Sequence, residues 1–216
     1  MFVFLDADAY PAPDWLENIV RAYEKGHMAG GGSIELPDSQ ENVLLARAQY
    51  YLQFNEFMPF GAERIKRFVP SCNMFCDREL FRKTGGFPAI RASEDVLFGL
   101  AVSRITSLWF VPEARVYHIF SEDRQRFRNN QKLLGKYVCI YRKETSDSII
   151  YKGLVPAVLL PVFLCVKLAR IVSRVVKARR FSGLFTALPA FLEGLAFWSA
   201  GFLRGCLEKE SGEVNR

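Results

Sequence analysis

Two long apolar runs near the C-terminus place the strongest constraint on how this chain can fold. They cover residues 149–166 and 181–203, and each contains one charged side chain, Lys152 in the first and Glu193 in the second. A helix over the first run would be about 27 Å long, close to the thickness of a bilayer core. A carboxylate inside such a run is expected to face a partner or to be neutral. The runs therefore predict C-terminal membrane helices.

The segment between the two runs, residues 166–180, has a basic side chain every three or four residues, with apolar residues between them. This pattern predicts a basic amphipathic helix on an anionic lipid surface, although a surface helix of a soluble domain has the same pattern. Pro156 and Pro161 interrupt the first run, so a two-span hairpin and a re-entrant segment both stay open. We predict three parts: a domain over 1–147, membrane-associated helices over 148–207 and a polar tail over 208–216.

The excess positive charge lies entirely in the C-terminal part of the chain. Residues 1–148 hold 19 basic and 19 acidic side chains, whereas residues 149–216 hold 10 basic and 4 acidic ones. Nucleic-acid binding needs a basic face on the folded domain, so this distribution argues against nucleic acid and favours membrane lipids as partners. The five cysteines follow no disulfide or zinc-ligand spacing, which predicts reduced thiols in a cytoplasmic setting.

The first 147 residues alternate predicted strands and helices, which is the pattern of an α/β domain. Residues 2–5 form a continuous apolar run, typical of a buried parallel strand. Asp77 is placed to cap a short helix that ends at Gly85 and Gly86. The other predicted helices cover about residues 13–26, 40–57, 93–104 and 121–142, and the other strands cover about 28–35 and 108–120.

Two acidic side chains, Asp6 and Asp8, follow the first predicted strand. Residues two apart in an extended backbone point to the same side, so both carboxylates could bind one divalent cation at the carboxyl end of the strand. A polar turn with helix-capping aspartates explains the same pattern. His118, at the end of a later predicted strand, fits either a third metal ligand or a hydrogen-bonded histidine.

A second acidic pair, Glu94 and Asp95, follows Ser93. A serine cap with two acids in the first turn of a helix explains the pattern structurally. The functional interpretation is that Asp95 accepts a proton from an attacking hydroxyl, with its neighbour orienting it. A phosphate-loop motif is absent from the sequence, which argues against that class of phosphoryl transferase.

The order of these segments resembles that of the inverting glycosyltransferases of family 2, which have the GT-A fold. The resemblance covers about residues 2–142 and implies an α/β, Rossmann-like partial GT-A domain followed by membrane helices. The matching segments are Phe4-Leu5-Asp6-Ala7-Asp8, Pro70-Ser71-Cys72-Asn73-Met74-Phe75, Gly85-Gly86-Phe87, Ser93-Glu94-Asp95-Val96 and Pro112-Glu113-Ala114-Arg115-Val116-Tyr117-His118.

The resemblance implies a role for each matched residue. Asp6, Asp8 and His118 would bind Mg²⁺ or Mn²⁺. Asp95 would be the general base, and Glu94 would orient the acceptor or the base. Asn73 and Arg126 would contact the substrate. Arg126 lies in a helix that is only loosely similar to the family's Gln-x-x-Arg-Trp element. Phe127 stands where that element has tryptophan, so processive polymerisation is not implied.

The implied activity is inverting transfer of a sugar from a nucleotide-sugar donor to a hydroxyl of a lipid-linked or polysaccharide acceptor. The implied location is the cell membrane, with the catalytic part on the cytoplasmic side. In this family the Asp-x-Asp strand lies about midway through the catalytic domain, whereas here it begins at residue 2. We therefore expect the nucleotide-binding part to be missing, with a separately encoded N-terminal half as a possible partner. A non-enzymatic membrane protein, or an inactive remnant of the same fold, is the alternative.

Overall fold

The computed structural model describes residues 1–208, and of Glu144 the backbone only. These residues form two compact units that alternate along the chain. Unit 1 consists of Met1–Glu41, Glu56–Ala89 and Glu94–Phe120, and unit 2 consists of Asn42–Asn55, Ile90–Ser93 and the residues from Ser121 onward. The predicted division at residues 147 and 207 stays a prediction. Its polar tail lies, apart from Glu208, outside the described residues.

Unit 1 is built on one mixed six-stranded sheet. Its strands lie in the order β1-β5-β3-β6-β2, and β4 pairs with β6. The strands predicted at 2–5, 28–35 and 108–120 are found to within a few residues, but the first of them is antiparallel and partly exposed, so its prediction as a buried parallel strand is wrong. The strands are β1 (Phe2–Phe4), β2 (Ala9–Pro11), β3 (Ala29–Glu35), β4 (Arg64–Lys66), β5 (Met74–Cys76) and β6 (Leu108–His118).

The directions of the strands correct the predicted fold. β3 and β6 run parallel, whereas β1 with β5, β3 with β5, β2 with β6 and β4 with β6 are antiparallel. The prediction of a Rossmann-like, partial GT-A domain is therefore wrong. Two neighbouring parallel strands need a crossover connection of about a dozen residues or more. Only residues 5–8 connect β1 to β2, and the two strands lie at opposite ends of the strand order. Each of these two short strands pairs antiparallel with a different, later strand.

Nine α-helices accompany the sheet in the part of the chain that the structure describes. The first, third and fourth belong to unit 1, and the others belong to unit 2. The helices are α1 (Trp15–Glu24), α2 (Leu44–Phe54), α3 (Arg78–Lys83), α4 (Glu94–Ser103), α5 (Arg124–Thr145), α6 (Val155–Val158), α7 (Leu160–Lys177), α8 (Phe181–Thr186) and α9 (Leu188–Leu207).

The core of unit 1 lies between α1 and the sheet. Ile19 and Ala22 of α1 pack against Phe75, Val111 and Ala114, all of them almost fully buried. Burial of such apolar side chains is the main favourable contribution to folding. The amphipathic pattern of α1 therefore determines which face of the helix covers the sheet.

The predicted cap of α3 is confirmed. The Asp77 side chain accepts hydrogen bonds from the N–H groups of Glu79 and Leu80 at 2.9 and 3.0 Å. The Tyr23 hydroxyl donates to the same carboxylate at 2.6 Å. This bond from Tyr23, followed by the backbone bonds, lowers the pKa of Asp77.

The helices of unit 2 correct the prediction of membrane spans. Among residues 1–208, no helix is both long enough and apolar enough to cross a bilayer. The first apolar run is broken at Gly153, whose φ is 54°, before it continues as α6 and α7. Pro156, Pro161 and Pro189 lie in the first turns of α6, α7 and α9, where the missing N–H needs no helical partner. Each proline begins a helix instead of kinking a longer one.

The second apolar run fills much of the core of unit 2. Trp198 and Phe202 of α9 pack with Cys139 of α5 and Leu160 of α7. Gly201 allows this close approach, because a Cβ at that position would overlap the backbone carbonyl of Lys132. Helix packing within the unit thus accounts for one face of residues 188–207, whereas Leu188, Leu192, Leu203 and Leu207 stay exposed.

The single carboxylate of that run has the partner that the sequence led us to expect. Glu193 accepts hydrogen bonds from Arg124 Nη2 at 2.7 Å and from Arg128 Nε at 2.6 Å, both on α5. These bonds, that of Arg124 foremost, lower the pKa of Glu193. Glu193 is therefore an ion-paired residue of a helix–helix contact.

Candidate functional site

The pairing of β1 with β5 brings Asp6 next to Cys72. Phe4 lies opposite Met74, and the same antiparallel register extended two residues past β1 places Asp6 opposite Cys72. The carbonyl of Asp6 accepts a hydrogen bond from the Ala9 N–H at 3.1 Å, which closes the turn into β2. The position of the Asp6 carboxylate therefore follows from strand register and a tight turn.

The pairing of β2 with β6 brings Asp8 next to His118. Ala9 lies opposite His118, and Asp8 Oδ1 is 3.6 Å from His118 Nε2. One ligand atom each from Asp6, Cys72 and His118 lie within 4.8 Å of one another. The three residues for which a metal was predicted are thus brought together, and with Cys72 they form what we call the carboxylate cluster.

The carboxylate cluster is electrostatically strained. Burial raises the pKa of Asp6, the Asp8 carboxylate raises it further, and only His118 opposes the shift. Burial lowers the pKa of His118, against the effect of Asp8 and Asp6, which favours the neutral imidazole that binds metals. A bound cation would relieve the repulsion between the two carboxylates.

Asp95 shares this environment. The pKa of the Cys72 thiol is raised well above its usual value, first by burial and then by the charges of Asp6, Asp95 and Asp8. Cys72 is almost fully buried and stays a neutral thiol at physiological pH. The charges of the predicted base, Asp95, and of the predicted metal ligands Asp6 and Asp8 thus all raise the pKa of the same buried thiol. These residues therefore lie in one region of unit 1.

Asp95 has the most strongly shifted carboxyl group of the predicted site. Protein atoms crowd its carboxyl group, and this burial, with the charge of Glu94, raises its pKa to about 7. Backbone N–H groups, including those of Val96 at 2.7 Å and Ser71, partly oppose the shift. A carboxyl group with a pKa near 7 can exchange a proton under physiological conditions. Glu94, predicted to orient the base, is its nearest charged neighbour along the chain.

Asn73 is committed to the fold of unit 1. Its side chain is fully buried and donates to the carbonyls of Ser33 and Ala114, both at 2.8 Å. Its own carbonyl oxygen accepts from Trp15 Nε1 at 2.8 Å. These bonds join β3, β6 and α1 and lend no support to the predicted substrate contact, which stays a prediction.

Arg126 lies on α5 in unit 2, and its side chain is exposed. It lines a cavity of that unit together with other basic residues. Its predicted contact with substrate therefore stays a prediction.

Only some of the metal-ligating side chains in the carboxylate cluster suit a divalent cation that prefers oxygen ligands. The carboxylates of Asp6 and Asp8 are ligands that suit Mg²⁺ and Mn²⁺, whereas imidazole and thiolate suit softer metals such as Zn²⁺. The two carboxylates are thus the part of the cluster that fits Mg²⁺ or Mn²⁺, whereas His118 and the Cys72 thiol, which metal binding deprotonates, fit a softer metal.

Cys72 and the backbone N–H of Ser71 belong to this site although the sequence does not point to them. Cysteine spacing indicated an unremarkable thiol, and a backbone donor has no sequence signal. The register between β1 and β5 is what places Cys72, and short apolar runs do not reveal which strands pair.

The fold and site together define a mixed α/β protein with a cluster of two carboxylates and, in the same region, an aspartate with a raised pKa. Comparison with protein-family models finds no match for the chain. Comparison with curated proteins finds none that is significantly similar.

Proposed function

We propose that this protein is a metal-dependent, inverting glycosyltransferase. It moves a sugar from a nucleotide-sugar donor to a hydroxyl of a lipid-linked or polysaccharide acceptor. The observation that carries the proposal is the convergence of Asp6, Asp8 and Asp95 around the buried thiol of Cys72. Metal-assisted group transfer needs both elements, carboxylates for a cation and a base tuned to neutral pH.

Asp95 supplies the base. Its carboxylate takes the proton of the acceptor hydroxyl as that oxygen forms a bond to the anomeric carbon of the donor sugar. The bond from this carbon to the diphosphate breaks in the same displacement, so the configuration inverts and a nucleoside diphosphate leaves. The pKa of about 7 makes Asp95 both available as a carboxylate and basic enough to accept the proton.

Asp6, Asp8 and His118 hold the cation in this proposal. A Mg²⁺ or Mn²⁺ ion held by these residues would neutralise charge on the leaving diphosphate. Burial and, after it, the Asp8 carboxylate raise the pKa of Asp6, which supports this assignment because a cation stabilises both carboxylates as anions. The Asp8 carboxylate is largely exposed and is therefore an accessible ligand.

The proposal predicts metal-dependent turnover of a nucleotide sugar. We would measure UDP or GDP release from UDP-glucose, UDP-N-acetylglucosamine and GDP-mannose, with a lipid extract of the source cells as acceptor. Both the 216-residue chain and the protein isolated from its own cells are tested. We expect release that EDTA abolishes and Mn²⁺ or Mg²⁺ restores, and that Asp8→Asn lowers by about a hundredfold or more.

Asp38→Asn is the matched control, since it removes an aspartate from a turn outside the carboxylate cluster. Release by the cell-derived protein alone would identify a partner such as a separately encoded N-terminal half. Release that is insensitive to EDTA, or no release from either preparation, would contradict the proposal and favour the non-enzymatic alternative.

We also propose that unit 2 lies on the cytoplasmic face of the cell membrane. Several large apolar side chains of its helices are exposed, and basic residues lie among them. Val172 and Val176 are such residues on α7, whose last turn carries Arg174 and Lys177. Exposed apolar side chains between cations fit an anionic lipid surface, into which a helix can settle without crossing it.

Vesicle flotation tests this lipid contact. We expect the protein to float with vesicles of equimolar phosphatidylcholine and phosphatidylglycerol, and the V172S/V176S variant to bind about tenfold more weakly because it loses apolar contact area. The control variant I65S/I105S changes two exposed residues of unit 1. Equal binding by both variants would show that α7 does not contact the lipid.

A further inference from the structure

Unit 2 contains a cavity lined by basic side chains that the proposed transferase reaction does not use. Its volume is about 670 Å³, within the range of small-molecule sites. Helices α5 and α9 and the short segment Ile90–Ser93 form its walls. The charged and amide residues of the lining are Arg91, Arg126, Asn129, Asn130, Lys132, Lys136 and Arg204.

The charge of the cavity is only partly compensated within the described chain. Glu208 pairs with Lys136 at 2.8 Å and lies 3.5 Å from Arg204. Among the residues that the structure describes, the lining of the cavity contains no acidic residue. Three cations that face one concave surface repel one another, and a multivalent anion would relieve that repulsion.

The donors of the walls suit an anion with several oxygens, such as a phosphate group. Arg91 and Arg126 offer forked N–H donors that bind phosphate oxygens in pairs, and Lys132 adds a point charge. Asn129 and Asn130 supply neutral amide donors beside them. Gly201 allows α9 to approach the Lys132 backbone, which keeps the two basic walls close together.

We propose that this cavity binds a diphosphate or phosphate-ester group. Its ligand is either the headgroup of a phospholipid or a soluble diphosphate, which share this chemistry. The site lies wholly within unit 2 and does not depend on the proposed transferase activity. The residues that define it are Arg91, Arg126 and Lys132.

Calorimetric titration with inorganic pyrophosphate at low salt tests the site. We expect R91Q/K132Q to lower the association constant at least about tenfold, because each lost charge-assisted contact weakens binding. The control K83Q/R104Q removes the same charge from exposed residues of unit 1, and we expect less than about a twofold change. Thermal melting checks that each variant is folded, and R126Q provides a second, single-site variant.

Flotation with the phosphatidylglycerol vesicles then distinguishes the two sources. If R91Q/K132Q also weakens vesicle binding and pyrophosphate competes with the vesicles, the ligand is a lipid headgroup. If vesicle binding is unchanged while pyrophosphate binding falls, the ligand is a soluble diphosphate. Equal losses in R91Q/K132Q and K83Q/R104Q, or no pyrophosphate binding by the unaltered protein, would overturn the proposal.

Discussion

The Asp95→Asn variant is expected to be more stable than the unaltered protein and inactive. The pKa of Asp95 is raised from the usual aspartate value to about 7, so between about pH 4 and pH 7 the folded state binds more protons than the unfolded state. Stability therefore falls as the pH rises through this window. Above about pH 7 the ionised, crowded carboxylate costs up to about 4 kcal/mol, which an uncharged asparagine avoids.

Urea unfolding of both proteins at pH 5 and pH 8 measures this effect. The gain in the free energy of unfolding should be larger at pH 8 and should level off above about pH 7. In the activity assay, turnover by the unaltered protein should rise with pH up to about 7, and Asp95→Asn should lower it by about a thousandfold or more, because the base is lost. Retained turnover would exclude Asp95 as the base, and an unchanged stability would exclude the burial penalty.

Asp77→Asn is the control with the opposite sign. Hydrogen bonds from Tyr23 and from the first turn of α3 lower the pKa of Asp77, so its carboxylate stabilises the fold above the unfolded pKa and loses that effect as the pH falls. We expect this variant to gain no stability at pH 8. A gain in both aspartate variants would indicate a general effect of removing negative charge.

Asn73→Ala is expected to destabilise unit 1 by about 4 kcal/mol. The substitution leaves two buried carbonyls, of Ser33 and Ala114, and the Trp15 indole N–H without their hydrogen-bond partner. Each unsatisfied buried group costs about 1–3 kcal/mol, and a small cavity adds to the loss. Urea unfolding followed by tryptophan fluorescence and circular dichroism measures the change.

Asn42→Ala provides the comparison, because Asn42 is exposed and we expect a change within about 0.5 kcal/mol. Replacing Asn73 by aspartate keeps the shape but removes the two amide hydrogens, so it should destabilise nearly as much. A loss below about 1 kcal/mol in both Asn73 variants would mean that these three hydrogen bonds do not support the sheet. The residue would then again be a candidate for substrate contact.

Local patterns predicted several elements well. The helix over 13–26 is α1, the cap at Asp77 begins α3, and the long basic helix is α5, although it starts at Arg124 and ends at Thr145. The helix predicted over 40–57 is shorter, because α2 covers only Leu44–Phe54. Capping residues and helical periodicity act over a few neighbouring residues, so the sequence carries them directly.

The candidate site was only partly predictable. Asp6, Asp8 and His118 were recognised as residues with metal-binding chemistry, and strand pairing does bring them together. The shift of Asp95 and the place of Cys72 could not be predicted, because both depend on which distant segments crowd them. The same limit applies to Asn73, whose chemistry fits a substrate contact but whose three partners lie on other elements.

By itself, the sequence determined which residues leave water and where most helices and strands lie, since hydrophobic pattern, proline and capping act locally. Only the tertiary structure decided the directions of the strands and what covers the apolar surfaces. An apolar run is stabilised by removal from water, but its sequence does not specify whether lipid or protein covers it. The buried face of residues 188–207 is covered by protein, namely by α5 and α7. Strand direction depends on pairing between distant segments, and the apolar pattern of a short strand is compatible with either direction.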